Sequence, residues 1–134
     1  MTPVFADTSY YVALLHRRDR FHDDALRISA AIDSQVVTTD YVVVELGSLA
    51  RRGDTRRRFI DFVRFLRSSE RTEILPASVE LLEGGFAFFA ERPDKEWSLT
   101  DCISFYVMRQ RGISDALTSD AHFAQAGYGV LLTG

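Results

Sequence analysis

Short apolar segments alternate along this chain with segments of helical periodicity. The first, Val4–Ala6, places apolar side chains at consecutive positions, as strands buried on both faces of a sheet do. Further strands are predicted over residues 35–39, 72–75, 116–118 and 128–132. Because helical segments separate them, the strands are expected to pair in parallel through right-handed crossovers. The alternation predicts an α/β fold with a mainly parallel sheet of four to five strands, the last at an edge.

Helices are predicted between these strands from apolar spacing and from residues that suit helix ends. Asp40 is expected to cap a helix that runs to Arg52 and stops at Gly53. Pro76 is expected to begin a helix that reaches about Glu91. The other helices are predicted to run to about residue 15 with Thr8 or Ser9 as the cap, from 21 or 22 to 32, and over residues 56–68, 100–111 and 121–126.

Length and composition suit one folded unit. We expect the 134 residues to form a single domain, 1–134, and the 46% of hydrophobic residues to supply one core. Cys102 is the only cysteine, so an internal disulfide is impossible and a cytoplasmic location is expected. The sequence has no basic stretch followed by a long apolar run, so no signal peptide is expected. It has no run of about 18 apolar residues, so no membrane span is expected.

Four acidic residues stand where an α/β fold would carry them toward one place. Asp7 follows the first strand and Asp120 follows the fourth, and open parallel sheets bind ligands beyond the carboxyl ends of their strands. Asp101 lies in the first turn of a predicted helix. Glu45 lies in mid-helix, with apolar neighbours three and four positions away, so it is expected on or beside the core-facing stripe.

Carboxylates gathered in one place need a cation, because each one raises the pKa of its neighbours. A divalent ion reverses this effect, and a set of oxygen ligands suits Mg²⁺ or Mn²⁺. No histidine or cysteine stands at metal-ligand spacing, so zinc is not expected. An ion held in this way can activate water and neutralise the charge that develops on a phosphate. The acids therefore indicate cleavage of phosphodiesters.

Each acid also has an ordinary structural explanation. Asp7 and Asp120 suit helix caps, and Asp101 suits the positive end of a helix dipole. Glu45 would be unremarkable if it pointed into solvent. Only the order and context of all four acids favour a shared site.

Together these motifs resemble the PIN domain family, and within it the single-domain VapC toxins of bacterial and archaeal toxin–antitoxin modules. The likeness covers essentially the whole chain in order. The motifs are Val-Phe-Ala-Asp7-Thr8-Ser9, Glu45 after an apolar run, Leu-Thr-Asp101-Cys-Ile-Ser-Phe and Leu-Thr-Ser119-Asp120-Ala-His-Phe. The resemblance implies a three-layer α/β/α sandwich and Mg²⁺- or Mn²⁺-dependent ribonuclease activity that uses metal-activated water.

The resemblance also implies residue roles and partners. Thr8 and Ser119 match positions where a hydroxyl supports the site. A cognate VapB-type antitoxin would wrap the chain and place an arginine near the acids, and the toxin would form a homodimer. The implied catalytic and metal-binding residues are Asp7, Glu45, Asp101 and Asp120.

Arginine is concentrated in one segment of an otherwise acidic chain. The whole chain carries a net charge of −3, whereas residues 51–71 hold eight arginines and three acids, a net charge of +5. Arg57 and Arg64 lie on the predicted helix there, opposite its apolar face, and are candidate RNA contacts. A solvated helix face is the alternative explanation.

Aromatic residues outside the motifs have less specific explanations. Trp97 is predicted to pack in the core rather than to stack on a base. Phe86, Phe88 and Phe89 belong either to the core or to a dimer face, and their spacing does not separate the two.

The main hypothesis is a metal-dependent endoribonuclease toxin, and three alternatives compete with it. A non-catalytic PIN-like RNA-binding or scaffold domain would not need all four acids. A receiver domain needs a lysine after a late strand, but the only lysine is Lys95, in a predicted loop. A haloacid-dehalogenase-type phosphatase needs a second aspartate two residues after Asp7, where Ser9 stands.

Overall fold

The computed structural model describes residues 2–133. These residues contain five parallel strands and seven helices. The strands are β1 Val4–Ala6, β2 Val36–Thr39, β3 Thr72–Leu75, β4 Asp115–Leu117 and β5 Gly129–Val130. The helices are α1 Thr8–Leu15, α2 His22–Ala31, α3 Asp40–Leu49, α4 Gly53–Ser68, α5 Val79–Glu91, α6 Leu99–Arg111 and α7 Ala121–Gln125. The α/β class and the parallel sheet are as predicted.

The strand order in the sheet is β3-β2-β1-β4-β5. From β1 the chain proceeds outward to β2 and β3, and it then returns to β4 on the other side of β1. Right-handed crossovers therefore place α1–α4 and α5–α7 on opposite faces, which gives the predicted three-layer sandwich. The direction of the connections reverses between β1 and β4, and at such a point the loops diverge and leave a crevice.

The central strands form the core because they carry apolar or small side chains on both faces. Phe5 and Ala6 of β1 and Leu117 of β4 are completely buried. Behind them, the ring of Phe105 in α6 packs edge-on against Phe123 at 4.9 Å between centroids and against Trp97 at 5.1 Å. The predicted packing role of Trp97 is confirmed, since only 5% of it is exposed.

Helices α5 and α6 approach closely because α5 turns glycines toward α6. A Cβ atom added to Gly85 would lie 2.9 Å from the backbone nitrogen of Ile103. The other side of α5 leaves Phe86 and Phe89 about half exposed, while Phe88 packs against the core. Phe88 is therefore a core residue and its two aromatic neighbours lie on the surface. Within residues 2–133, no helix has both the length and the apolar character needed to cross a bilayer.

The prediction for α3 was wrong at both ends. The cap is Thr39, whose Oγ1 accepts a hydrogen bond from the Val42 amide at 3.2 Å. Asp40 is the first helical residue, and its carboxylate accepts from the amide of Ala77 at 3.0 Å. Gly53 does not end α3 but begins α4, with φ of 55°.

Helix α5 and the last strand are also shorter than predicted. Helix α5 begins at Val79 rather than Pro76, because Ser78 caps it by accepting the amide of Leu81 at 3.1 Å. The last strand is only Gly129–Val130, and it lies at the edge of the sheet as expected.

Candidate metal centre

All four predicted acids line one open cleft of about 300 Å³ at the switch between β1 and β4. Each one is placed there by a different element. Asp7 follows β1 and caps α1, and Asp120 caps α7 after β4. Asp101 lies in the first turn of α6, and Glu45 lies half-buried in the middle of α3.

Asp7 is the most buried of these acids, with 3% of its surface exposed. Its Oδ2 accepts hydrogen bonds from Thr118 Oγ1 at 2.8 Å and from Ser9 Oγ at 3.0 Å. Burial raises the pKa of Asp7 from 3.8 to about 6, although the hydrogen bond from Thr118 opposes this; the charge of Asp101 raises the pKa further. The carboxylate is therefore held in place but is costly to ionise without a cation.

Asp101 is held by a capping box at the start of α6. Its backbone amide donates to Ser98 Oγ at 3.0 Å, and its Oδ2 accepts from the Ser98 amide at 3.2 Å. Burial raises the pKa of Asp101, the charge of Asp120 raises it further, and the contact with His122 lowers it. Asp101 therefore both stabilises the start of α6 and lines the acidic cleft.

Asp120 and His122 share the first turn of α7. The backbone amide of His122 donates to Asp120 Oδ1 at 2.8 Å. Its ring Nδ1 lies 3.4 Å from the same oxygen and 3.3 Å from Asp101 Oδ2. One potential ligand atom from each of the three residues lies within 4.8 Å of the other two. Sequence spacing gave no sign that His122 lies at ligand distance, because its contact with Asp101 joins two helices and spans 21 positions.

Hydroxyl groups surround Asp7 in the cleft. Thr8 and Ser119 do line the cleft, but the side-chain donors to Asp7 are Ser9 and Thr118. Thr118 is completely buried, and its Oγ1 also accepts the Asp120 amide at 3.0 Å. The position of Thr118, at the end of an apolar strand and two residues before Asp120, could have indicated this role.

A fifth acid, Asp19, also lines the cleft, and sequence reasoning missed it. It lies in the loop between α1 and α2, where its Oδ1 accepts the amide of Phe21 at 2.8 Å. A single acid in a polar loop gives no signal of this placement.

The residues present fit a hard divalent ion. Two hydroxyl donors, Thr118 and Ser9, converge on a single oxygen of Asp7, its Oδ2. A carboxylate anchored through one oxygen can present the other to a cation. Thr8 Oγ1, buried beside them, has no hydrogen-bond partner. The raised pKa values of Asp7 and Asp101 describe a site that a positive charge would stabilise.

The family model described as the PIN domain matches residues 4–128. The chain belongs to the PIN domain family. This PIN domain is 30% identical over 125 residues to the 23S rRNA-specific endonuclease VapC20 of Mycobacterium tuberculosis, covering 93% of this chain and 95% of that protein. The family membership predicted from the motifs is confirmed.

Solved structures share the architecture. The crystal structure of Mycobacterium tuberculosis VapC20, described as a sarcin-ricin loop cleaving toxin, matches with a TM-score of 0.85 at 29% identity, covering 93% of this chain and 95% of that one. The DNA-bound VapBC of Salmonella typhimurium matches with a TM-score of 0.68 at 16% identity, covering 97% of each chain. The second likeness concerns the fold alone.

Proposed function

We propose that this PIN domain is a metal-dependent endoribonuclease and the toxin of a type II toxin–antitoxin pair. The observation that carries the proposal is the convergence of the four acids Asp7, Glu45, Asp101 and Asp120 in one cleft. The 30% identity to an rRNA endonuclease over nearly the whole chain supports it. Ribosomal RNA is accordingly the substrate we propose, with the sarcin-ricin loop as the first sequence to test.

Mg²⁺ or Mn²⁺ is the proposed cofactor, held by the four acids with Thr8 and Ser119 beside them. Such an ion supplies an activated water and neutralises charge on the phosphate. The side chains around the site hold the carboxylates in fixed orientations. Ser9 and Thr118 fix the rotamer of Asp7, and the capping box fixes Asp101. Because these donors hold the acids in position, the site has little reorganisation to undergo when substrate arrives.

An arginine rim beside the acidic cleft supports RNA as the substrate. Asp19 lines the cleft from the loop after α1, and Leu49 lines it from the end of α3. These two segments also meet each other, since His16 and Ala50 line one small cavity. The arginine rim, the exposed arginines on the two segments, is Arg17, Arg18, Arg20, Arg51 and Arg52.

We propose that the rim binds the phosphates flanking the scissile bond, because basic groups must offset the repulsion between RNA and the acids. Arg57 and Arg64 are exposed on α4, where Arg57 lies 3.9 Å from Asp54. We propose that these two arginines extend the RNA path away from the cleft.

The proposed protein partner is a VapB-type antitoxin. An acidic cleft next to Val44 and Leu49, which are 67% and 60% exposed, suits a partner that combines an arginine with apolar side chains. Co-expression with a small reading frame encoded next to this one should yield a complex without ribonuclease activity. The single cysteine, Cys102, is buried and unpaired, which supports action in the cytoplasm.

We also propose a homodimer, supported by an apolar stripe along α5. Four large side chains at helical spacing are exposed on it: Val79, Leu82, Phe86 and Phe89. Sedimentation should give a dimer mass for the wild type and a monomer mass for Phe86→Asp. A monomeric wild type at tens of micromolar would contradict the dimer.

The ribonuclease proposal is tested with metal-free protein and an RNA that contains the sarcin-ricin loop. Addition of Mg²⁺ or Mn²⁺ should start cleavage, and a chelator should stop it. Asp101→Asn should lower the rate by about 10²-fold or more while the fold is kept. The matched control, Asp61→Asn, alters an exposed acid of α4 and should cleave normally. Full activity in a folded Asp101→Asn protein would overturn the proposal, and RNA binding without cleavage would favour the scaffold alternative.

A further inference from the structure

One ring nitrogen of His122 lies beside two carboxylates of the acidic cleft. Nδ1 lies 3.3 Å from Asp101 Oδ2 and 3.4 Å from Asp120 Oδ1. The ring is about one third exposed, while only 9% of the Asp101 side chain is exposed. Nδ1 of His122 therefore lies beside two carboxylates of the cleft, just outside the residues that line the cleft itself.

The local backbone explains why the ring points this way. Asp120 caps α7 and binds the amide of His122, which is the second residue of the helix. This hydrogen bond fixes the Cα of His122 directly beside the capping carboxylate. The start of α6 brings Asp101 to the same side, so Nδ1 meets oxygens from two different helices. Such a convergence of one nitrogen and two oxygens within 4.8 Å matches the spacing of ligands around one ion.

We propose that His122 is a ligand of the divalent cation, so that one imidazole nitrogen joins the carboxylate oxygens of the site. The proposal rests on the metal-dependent function given above and adds a residue that the four acids do not include. As a ligand, Nδ1 carries no proton and Nε2 carries the ring proton. Without an ion, Nδ1 lies within hydrogen-bond distance of Asp101 Oδ2.

A nitrogen ligand has a measurable consequence for metal selectivity. Mg²⁺ prefers oxygen ligands, whereas imidazole increases affinity for Co²⁺, Ni²⁺ and Zn²⁺ and is acceptable to Mn²⁺. The site should therefore favour the later transition metals more strongly than a carboxylate set alone would. It should also show a nitrogen nucleus next to bound Mn²⁺.

A purely structural role makes a different prediction. If His122 only donates a hydrogen bond to Asp101, a glutamine amide could replace it and leave the metal surroundings unchanged. The variant His122→Gln therefore separates the two roles, because its amide N–H can donate but is a poor metal ligand. His16→Gln is the matched control, since His16 lies in the loop after α1 and does not belong to the group of side chains at ligand spacing.

The experiment uses the full chain, freed of metal and loaded with Mn²⁺, and measures ¹⁴N coupling by pulsed electron paramagnetic resonance. Wild type and His16→Gln should show imidazole coupling, and His122→Gln should lose it. In calorimetry, His122→Gln should bind Co²⁺ about tenfold more weakly and Mg²⁺ within about twofold of wild type.

Each alternative result overturns the proposal. Mn²⁺ bound to wild type without ¹⁴N coupling removes His122 from the ligand set, and so does coupling that survives in His122→Gln. If His122→Gln does not fold, the wild-type spectrum and the spectrum of His122→Asn decide in the same way. Loss of the His122 proposal alone leaves metal-dependent cleavage intact, whereas absence of any Mn²⁺ binding overturns both proposals.

Discussion

The hydroxyl of Thr118 lies 2.8 Å from Oδ2 of Asp7, although 111 positions separate the two residues. The same oxygen atom of Thr118 accepts the backbone amide of Asp120 at 3.0 Å. One buried hydroxyl at the end of β4 thus connects two acids of the cleft. It belongs to neither the catalytic set nor the supporting set expected from the motifs.

Replacement of this hydroxyl tests its part in metal binding. Thr118→Val keeps the shape of the side chain but removes a donor to Asp7 and leaves the Asp120 amide without its partner. We expect metal affinity to fall about tenfold and stability to fall by about 1–3 kcal/mol, as measured by calorimetry and by urea unfolding. The pKa of Asp7 should rise further, because the lost hydrogen bond lowers it.

The matched control for this variant is Thr38→Val. Thr38 is equally buried, but its hydroxyl donates to the carbonyl of Ala6 at 2.8 Å and not to a carboxylate. It should lose stability while metal affinity is kept. Equal metal affinity in Thr118→Val and wild type would contradict the role given to Thr118.

The pKa of Asp7 predicts how stability depends on pH without metal. Its value of about 6 in the folded chain, against 3.8 in the unfolded one, means that the folded state binds the proton more tightly. The resulting stabilisation is fully present below about pH 4 and is lost as pH rises through about 6. The difference corresponds to roughly 3 kcal/mol. Asp7→Asn is uncharged throughout and should lack this component in urea unfolding from pH 4 to 7.5.

Two comparisons make the pH prediction specific. Asp61→Asn, which alters an exposed acid, should keep the wild-type dependence. The raised pKa of Asp101 acts in the same direction as that of Asp7, so Asp7→Asn should retain part of the slope. Saturating Mg²⁺ or Mn²⁺ should remove the loss of stability toward neutral pH. Parallel curves for Asp7→Asn and wild type in chelator would refute the assignment.

Charge reversal tests the proposed RNA path. In the inactive Asp101→Asn background, Arg18→Glu with Arg51→Glu should weaken RNA binding and flatten its salt dependence, because fewer phosphates are neutralised. Arg57→Glu with Arg64→Glu should act in the same direction. The slope of log affinity against log salt should fall by about 0.7 for each lost contact with single-stranded RNA.

The control for charge reversal is Arg27→Glu. Arg27 is exposed on α2 and pairs with Asp24, so RNA affinity should stay close to that of the parent protein. If a reversed pair binds RNA as tightly as the parent protein at every salt concentration, that pair does not belong to the RNA path.

The contact between α5 and α6 predicts an overpacking effect. Alanine normally stabilises a helix relative to glycine by about 1 kcal/mol. In Gly85→Ala, however, the added Cβ meets backbone atoms of Ile103 at 2.9 Å, and backbone cannot rotate away. We expect a net loss of about 1–3 kcal/mol in urea unfolding. Glu83→Ala, on the exposed side of the same helix, should be neutral or stabilising. A more stable Gly85→Ala would contradict the close packing.

Several features of this protein follow from local sequence. The apolar runs around Phe5 and Val37 indicate strands buried on both faces, and Gly112 ends α6 with φ of 63°, as its position predicts. The sequence also predicts that Asp7, Asp101 and Asp120 lie at or near the ends of strands and helices. These properties depend on neighbours a few positions away, so periodicity and capping preferences reveal them.

The tertiary structure alone decided what those residues meet. The strand order puts β1 beside β4 and so brings Thr118 to Asp7, a contact that spans 111 positions. The packing of α6 against α7 brings Asp101 to His122, 21 positions away. It also decided that Phe88 faces the core while Phe86 faces solvent. Pairing between distant strands and helices depends on the packing of the whole chain, and short-range patterns do not contain that information.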